Sequence, residues 1–267
     1  MGKILVGADP ELFVKKDGEL VTANGLVPGT KQAPYPVKQG AVQVDGMALE
    51  FNIDPANDEV EFVDNIITVM AQLKEMVPAH EFLIEAAVCF KESYMKQMPA
   101  DALELGCEPD FNAYTGMENP PPDRAVPNMR TAAGHIHVGW TEGVAEPKGA
   151  QHMNMCEGLA KQLDLFLGVP FVLLNDCPER KVMYGKAGSF RPKSYGMEYR
   201  VLSNKWLLNE ALMFFVYRNT IRAVEELQDN APWWLAIPDG EKVVNDSDKA
   251  RAQEIVDYIG IDMGVAA

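Results

Sequence analysis

The stretch VGADPELFV, residues 6–14, sets Asp9 and Glu11 two positions apart inside an otherwise apolar run. Side chains on a strand alternate between faces, so both acids point the same way. Three further strand-like runs repeat the device. MALEFNI places Glu50 and Asn52 on one face, GHIHVGW places His135 and His137, and GMEYRVLSN places Glu198 and Arg200. A near echo of the first run, LGCEPDFNA, carries Glu108 and Asp110. A buried sheet face excludes unpaired charge, because desolvating it is costly. Taken singly, each pair also fits an exposed strand face. Taken together, they describe one sheet with a polar face. If those faces converge, the acids repel one another unless cations lie between them. Oxygen ligands with a little imidazole suit Mg²⁺ or Mn²⁺ better than Zn²⁺. Arg130, Lys186, Arg191 and Arg200 add positive charge nearby. Carboxylates for a divalent ion together with Arg and Lys for phosphate are the equipment of phosphoryl transfer.

The rest of the chain alternates strands and helices. KILVGADPELFVKK reads as strand, short break, strand. A Pro/Gly-rich excursion over residues 18–40 reads as a loop folded over something. AVQVDG and MALEFNI form a hairpin turning at Asp45-Gly46. Helical spacing follows in NDEVEFVDNIITVMAQLKEM, with Asn57 or Asp58 as N-cap and Pro78 as terminator. EFLIEAAVCF reads as one strand and NPPPDRAVPN as an irregular loop. Helices are expected over AQHMNMCEGLAKQLDLFLG, NEALMFFVYRNTIRAVEELQ and DKARAQEIVDYIG. GKAGSFRPK is basic but lacks the GxxxxGK[ST] form of a P-loop, and reads as a mobile loop. No Gly/Ser linker divides the chain, so residues 1–267 are read as one domain. Hairpins with intervening helices point to an α+β fold with a mainly antiparallel sheet.

Composition narrows the partners. A net charge of −15 disfavours nucleic acid and anionic membranes, while local Arg and Lys leave a charged small substrate open. The cysteines, Cys89, Cys107, Cys156 and Cys177, are scattered with no CxxC. Neither a disulfide framework nor a thiolate metal site is expected, and a cytoplasmic location fits. No secretory signal pattern opens the sequence. No run reaches the ~18 apolar residues of a membrane span.

The strand motifs also carry a family resemblance. GADPELF resembles the GxExEF strand of the glutamine synthetase and glutamate–cysteine ligase superfamily. MALEFN is similar to its next metal-binding strand, GHIHVG to its HxH strand and GMEYRVL to its final ExR strand, in the family's order. With GCEPDFNAYTG, RTAAGHIHVGW and SFRPKSYGMEYRVL, the chain most resembles the phage carboxylate–amine ligase family. That resemblance implies a curved, mainly antiparallel sheet forming a funnel, with helices packed on its outer face. It implies ATP- and Mg²⁺- (or Mn²⁺-) dependent joining of a carboxylate to an amine through an acyl phosphate.

Carried over by position, the metal ligands would be Asp9, Glu11, Glu50, His135 and Glu198. Asp9 stands where the family has Glu, so direct or water-mediated ligation is open there. His137, Lys186, Arg191 and Arg200 would face the nucleotide. Arg200, Arg191 and Glu198 would act in catalysis, and Glu108, Asp110 and Arg130 would lie on the substrate side. The implied partners are small-molecule or peptide carboxylates and amines, with homo-oligomer formation left open. A phosphotransferase resembling the guanidino kinases, and a non-catalytic binding or virion relative, are the alternatives.

Overall fold

The computed structural model describes residues 3–103, 109–122, 126–141, 143–174, 178–229 and 231–264. The first half runs β1 (Leu5–Lys16), β2 (Glu19–Val21), β3 (Tyr35–Val37), β4 (Gly40–Asp45), β5 (Ala48–Ile53) and α1 (Glu59–Met76). There follow β6 (Glu81–Leu83), β7 (Ala87–Cys89), α2 (Glu92–Met95), α3 (Ala100–Leu103), β8 (Phe111–Asn112) and β9 (Met117–Glu118). The second half begins with β10 (Met129–Thr131), β11 (Gly134–Gly139), α4 (Ala150–Leu163) and α5 (Val169–Leu173). It continues with β12 (Ser189–Lys193), β13 (Gly196–Tyr199) and α6 (Glu210–Gln228). The short α7 (Trp233–Ala236), then α8 (Gly240–Asp246) and α9 (Lys249–Ile259), complete it.

The fold class is α+β. An 11-stranded sheet runs β3-β4-β5-β1-β11-β13-β12-β8-β9, with β2 and β6 also paired to β1. Every pairing between these strands is antiparallel, and the path does not close into a barrel among the described residues. β7 and β10 form a separate two-stranded sheet.

Strand alternation divides the main sheet into two unlike faces. Val6, Ala8, Leu12, Val42, Leu49, Phe51, Ile136, Val138, Phe190, Met197 and Tyr199 are buried in the main core. The buried stripes of α1, α4 and α6 contribute to that same core. Helix α1 starts where the side chain of Asp58 accepts a hydrogen bond from the Glu61 amide, a cap worth about 1 kcal/mol. The intervening residues of the same strands, with Asp9, Glu11, Glu50, His135, His137, Arg191 and Glu198 among them, occupy the other face. A smaller apolar cluster of Phe13, Met47, Ala48, Phe90, Met95, Ala102 and Ala132 packs separately from the main core.

Four expectations need correction. β1 is one continuous strand, not two. Five steps along β1, from Glu11 back to Val6, are matched by six on its neighbour, from Glu50 to Ala56. The extra residue makes a bulge beside Pro10, whose missing N–H therefore costs no ladder bond. SFRPK is strand β12 rather than a loop. The Arg200 amide bonds to the Ser189 carbonyl, so alternation turns the Pro192 nitrogen away from β13. It faces the side where pairing with β8 ends at Phe190, and proline is tolerated there. EFLIEAAVCF splits into β6 and β7, which pair in different sheets. The excursion over residues 18–40 contains the strands β2 and β3.

The expected helix over residues 150–168 passes into a π-helical turn at Asp164–Gly168, where Asp164 is fully buried. Burial pushes its carboxyl up to about 7, against hydrogen bonds from Tyr199, Tyr114 and the Gly188 amide. Tyr199 donates to Asp164 Oδ1 at 2.8 Å. Between about pH 4 and 7 an unfolded chain releases this proton while the folded protein keeps it. The folded state therefore loses stability as pH rises through that window and levels off above it. Asp164→Asn should remove a slope worth on the order of 2–4 kcal/mol. Urea unfolding of both proteins from pH 4 to 8 measures it; parallel profiles would refute the assignment.

Candidate functional site

Antiparallel register lines the polar pairs up across the sheet. Gln43 lies opposite Glu50, and Glu50 opposite Glu11. Asp9 lies opposite His135, His137 opposite Glu198, and Glu198 opposite Arg191. A polar row thus crosses β4, β5, β1, β11, β13 and β12. Gly134 lets the start of β11 pack directly against residues 203–206. A Cβ there would meet the Trp206 indole nitrogen at 2.3 Å and the Ser203 carbonyl at 2.4 Å.

The row is electrically lopsided. On the β4–β5–β1 side it is acidic. Glu50 is buried, accepting from the Gln43 amide at 2.6 Å. Burial, then the charges of Asp9, Asp45 and Glu11, push its carboxyl well above the ordinary range. Burial and Asp45 push Glu11 up to about 7, although the Ala133 amide donates to it at 2.8 Å and Arg180 opposes the rise. Lys31 reaches in from the excursion, 2.7 Å from Asp45.

On the β13–β12 side the row is cationic around one carboxylate. Glu198 is completely buried. Arg191 Nη1 lies 3.1 Å from Oε2, Lys193 Nζ lies 2.8 Å from Oε2, and Arg200 Nη1 donates to Oε1. Burial alone would raise this carboxyl. Arg200 first, then His135, His137 and Arg191, hold it well below the usual range. Arg200 Nε also donates to Asp110 Oδ2 at 2.9 Å.

Asp9 and the two histidines join the halves. Asp9 Oδ1 lies 3.2 Å from His135 Nδ1 and 3.2 Å from His137 Nε2. Neither approach has the alignment of a hydrogen bond, and Asp9 Oδ1 and His137 Nε2 are both buried without a hydrogen-bond partner. Burial would raise Asp9, but His137 and His135 together hold it below its ordinary value. Burial and the charge of Arg200 lower His135. For His137 the burial effect is outweighed by Asp9, and its value rises. Among the described residues, Asp9, His137 and Glu198 each bring one ligand atom to within 4.8 Å of the others. Two orphaned buried atoms, with a carboxylate beside them, fit a hard divalent cation held by oxygen and imidazole.

The structure therefore brings Asp9, Glu11, Glu50, His135, His137, Arg191, Glu198, Arg200 and Asp110 onto one polar face. His137 groups with Asp9 and Glu198, and His135 Nδ1 also lies 3.2 Å from Asp9 Oδ1 and 3.4 Å from Glu198 Oε1. Two expected residues stand elsewhere. Arg130 is buried beside the small sheet, donating to the carbonyls of Pro127, Met129 and Leu103. Lys186 is exposed in the turn before β12. Glu108 lies outside the described residues. Lys193, Lys31 and Tyr195 belong to the surroundings of the site and were not anticipated. Strand alternation from Arg191 would have found Lys193 had SFRPK been read as a strand. Nothing local marks Lys31 or Tyr195.

A large antiparallel sheet with one face of paired acids, imidazoles and cations is the arrangement that the motif resemblance describes. The family model for phage phiEco32-like COOH.NH2 ligase-type 2 matches residues 130–238. The matched span holds GHIHVG, SFRPK and GMEYRVL, while GADPELF and MALEFN lie before it. The glutamine synthetase and glutamate–cysteine ligase superfamily placement is consistent with this family, and the match supports a ligase role. No curated protein matches the chain. No helix among the described residues is long and apolar enough to cross a membrane.

Proposed function

We propose that this protein joins a carboxylate to an amine at the expense of ATP, through an acyl phosphate. The observation that carries the reading is the division of one sheet face into an acidic half and a cationic half. They meet at Asp9, His137 and Glu198. In this reaction a substrate carboxylate oxygen attacks the γ-phosphorus and ADP leaves. The amine nitrogen then attacks the acyl carbon, phosphate leaves, and the nitrogen gives up a proton.

Asp9, His137 and Glu198 would hold one divalent ion, and Glu11 and Glu50 offer further oxygens. When bound, such ions offset negative charge on the phosphates. Arg191, Lys193 and Arg200 stand where they can bind and orient the transferred phosphoryl group. Glu198 holds all three in place. Asp110 accepts from Arg200 Nε while Glu198 accepts from its Nη1, so the two acids fix the guanidinium.

Mass spectrometry of a cell extract incubated with the protein, Mg²⁺ and ATP tests the reading. ADP release should accompany a new species lighter by one water than two inputs together. ADP release with a phosphorylated product and no amide would favour the phosphotransferase. An absence of nucleotide consumption under every condition would refute both.

A further inference from the structure

We infer that Lys193 is an exchangeable partner of Glu198. Its ammonium holds Oε2 until a divalent cation is taken up, then yields that oxygen and turns to the phosphates of the nucleotide. This deepens the metal site of the proposed ligase and rests on that reading.

The need for an exchange follows from the acceptor positions on Glu198. An ionised carboxylate has two oxygens and about four lone-pair sites. Arg200 Nη1 donates to Oε1, and Arg191 Nη1 donates to the same oxygen at 3.2 Å. Arg191 Nη1 also donates to Oε2 at 3.1 Å, and Lys193 Nζ lies 2.8 Å from that oxygen. Those donors fill the positions. The other two members of the trio differ. Asp9 Oδ1 and His137 Nε2 are buried with no hydrogen-bond partner. They can meet a cation as they stand, whereas Glu198 must first lose a donor.

Lys193 is the donor best placed to leave. Arg200 is buried, and a second tie runs from its Nε to Asp110 Oδ2 at 2.9 Å. The Arg191 side chain is 13% exposed and bridges both oxygens of Glu198. The Lys193 side chain is 27% exposed and meets Glu198 at one oxygen, through a single ammonium on a flexible stem. Its backbone is held. Lys193 pairs with Gly196 across the turn, and its carbonyl lies 3.0 Å from His152 Nε2. Two residues on, the amides of Trp140 and Thr141 donate to the Tyr195 carbonyl at 3.0 and 3.3 Å, and the Tyr195 phenol is hydrogen-bonded to His137 Nδ1. The stem can therefore swing while the strand end stays in place. Once off Glu198, the ammonium lies beside Arg191, which shares Oε2 with it. The phosphates of the nucleotide offer an anion that both can bind. Cation uptake and nucleotide binding are then coupled, because both favour the same position of one side chain.

The test reads the ammonium itself, in the wild-type protein. Lysine acetylation mapped by peptide mass spectrometry should label Lys193 slowly without added metal. Saturating Mg²⁺ should quicken that labelling on the order of tenfold, the equivalent of one hydrogen bond to a charged group. Mg²⁺ together with an ATP analogue that has nitrogen between its β- and γ-phosphorus atoms should slow it again. Exposed Lys148, 3.8 Å from Glu118, serves as the reference and should label at a constant rate. Lys193→Met keeps an unbranched stem and removes the charge. Its affinity for Mn²⁺ without nucleotide, titrated by electron paramagnetic resonance, should rise about tenfold. A lysine that only supports the site would leave that affinity unchanged or lower it on removal. Mg²⁺ that raises Tm without quickening Lys193 labelling would overturn the exchange and leave the ligase reading untouched. Labelling that stays fast with the analogue, or Mn²⁺ affinity that does not rise in Lys193→Met, would also overturn it. Mg²⁺ that changes neither Tm nor labelling would overturn the exchange and the metal site together. The expected labelling and Mn²⁺ titration without any ATP-dependent amide formation would leave the exchange standing and remove the ligase reading alone.

Discussion

Glu198→Ala is expected to destabilise the protein by about 3–5 kcal/mol, the cost of removing one partner from a buried ion cluster. The carboxylate is fully buried, and Arg191, Lys193 and Arg200 converge on it. Arg200 is itself buried, so its positive charge would remain, with Asp110 as an ion-pair partner. Glu198→Gln keeps the volume and loses the charge, so it should account for most of the loss. Urea denaturation of both variants measures the effect. A change within about 0.5 kcal/mol, as for an ordinary surface residue, would show that Glu198 does not organise these cations. Both variants should also lose ATP-dependent amide formation by at least about 100-fold, since the three phosphate-orienting groups lose their common anchor.

Glu50→Gln should act in the opposite direction on stability. Glu50 is also buried, but the charges of Asp9, Asp45 and Glu11 outweigh the Lys31 ammonium that approaches it. Among the described residues the Gln43 amide donates to it, and a glutamine carbonyl can accept that bond as well. Removing the charge should raise the stability of the metal-free protein by about 1 kcal/mol, or roughly 2–4 °C in Tm for a chain of this size. Saturating Mg²⁺ should reverse the order. A ligand at 100 times its Kd adds about 2.7 kcal/mol to the wild type, and the variant should gain less. Thermal melts with and without Mg²⁺ show the crossover. If Glu50→Gln destabilises the metal-free protein, the acidic half is structural rather than a cation site. The contrast between two buried glutamates on neighbouring strands follows from what surrounds each of them, which their own short motifs do not specify.

Much of the site was legible in the chain because strand geometry is local. A period of two puts Asp9 with Glu11, His135 with His137 and Glu198 with Arg200 on common faces whatever the sheet order. The α1 and α6 helices were equally readable, from caps and from apolar spacing that a short window contains. SFRPK reads as part of a basic loop, and its strand character shows only in its pairing with β13. Pro192 fits there because, among the described residues, pairing with β8 ends at Phe190 on the side its nitrogen faces. Lys193 was lost with the strand.

What the sequence determined by itself is therefore the set of strands with polar faces, and the types of ligand they could hold. Tertiary structure decided the rest through pairing between distant segments. It set Asp9 opposite His135 across more than 120 residues and brought both histidines to Asp9 and Glu198. It carried Lys31 in from an excursion with no motif and turned Arg130 into a tie for backbone carbonyls. It also made one glutamate the centre of three cations and another the centre of three acids. Alternation fixes the face on which a side chain lies, whereas register and neighbouring charge fix what that side chain meets, and those arise only when the strands pair.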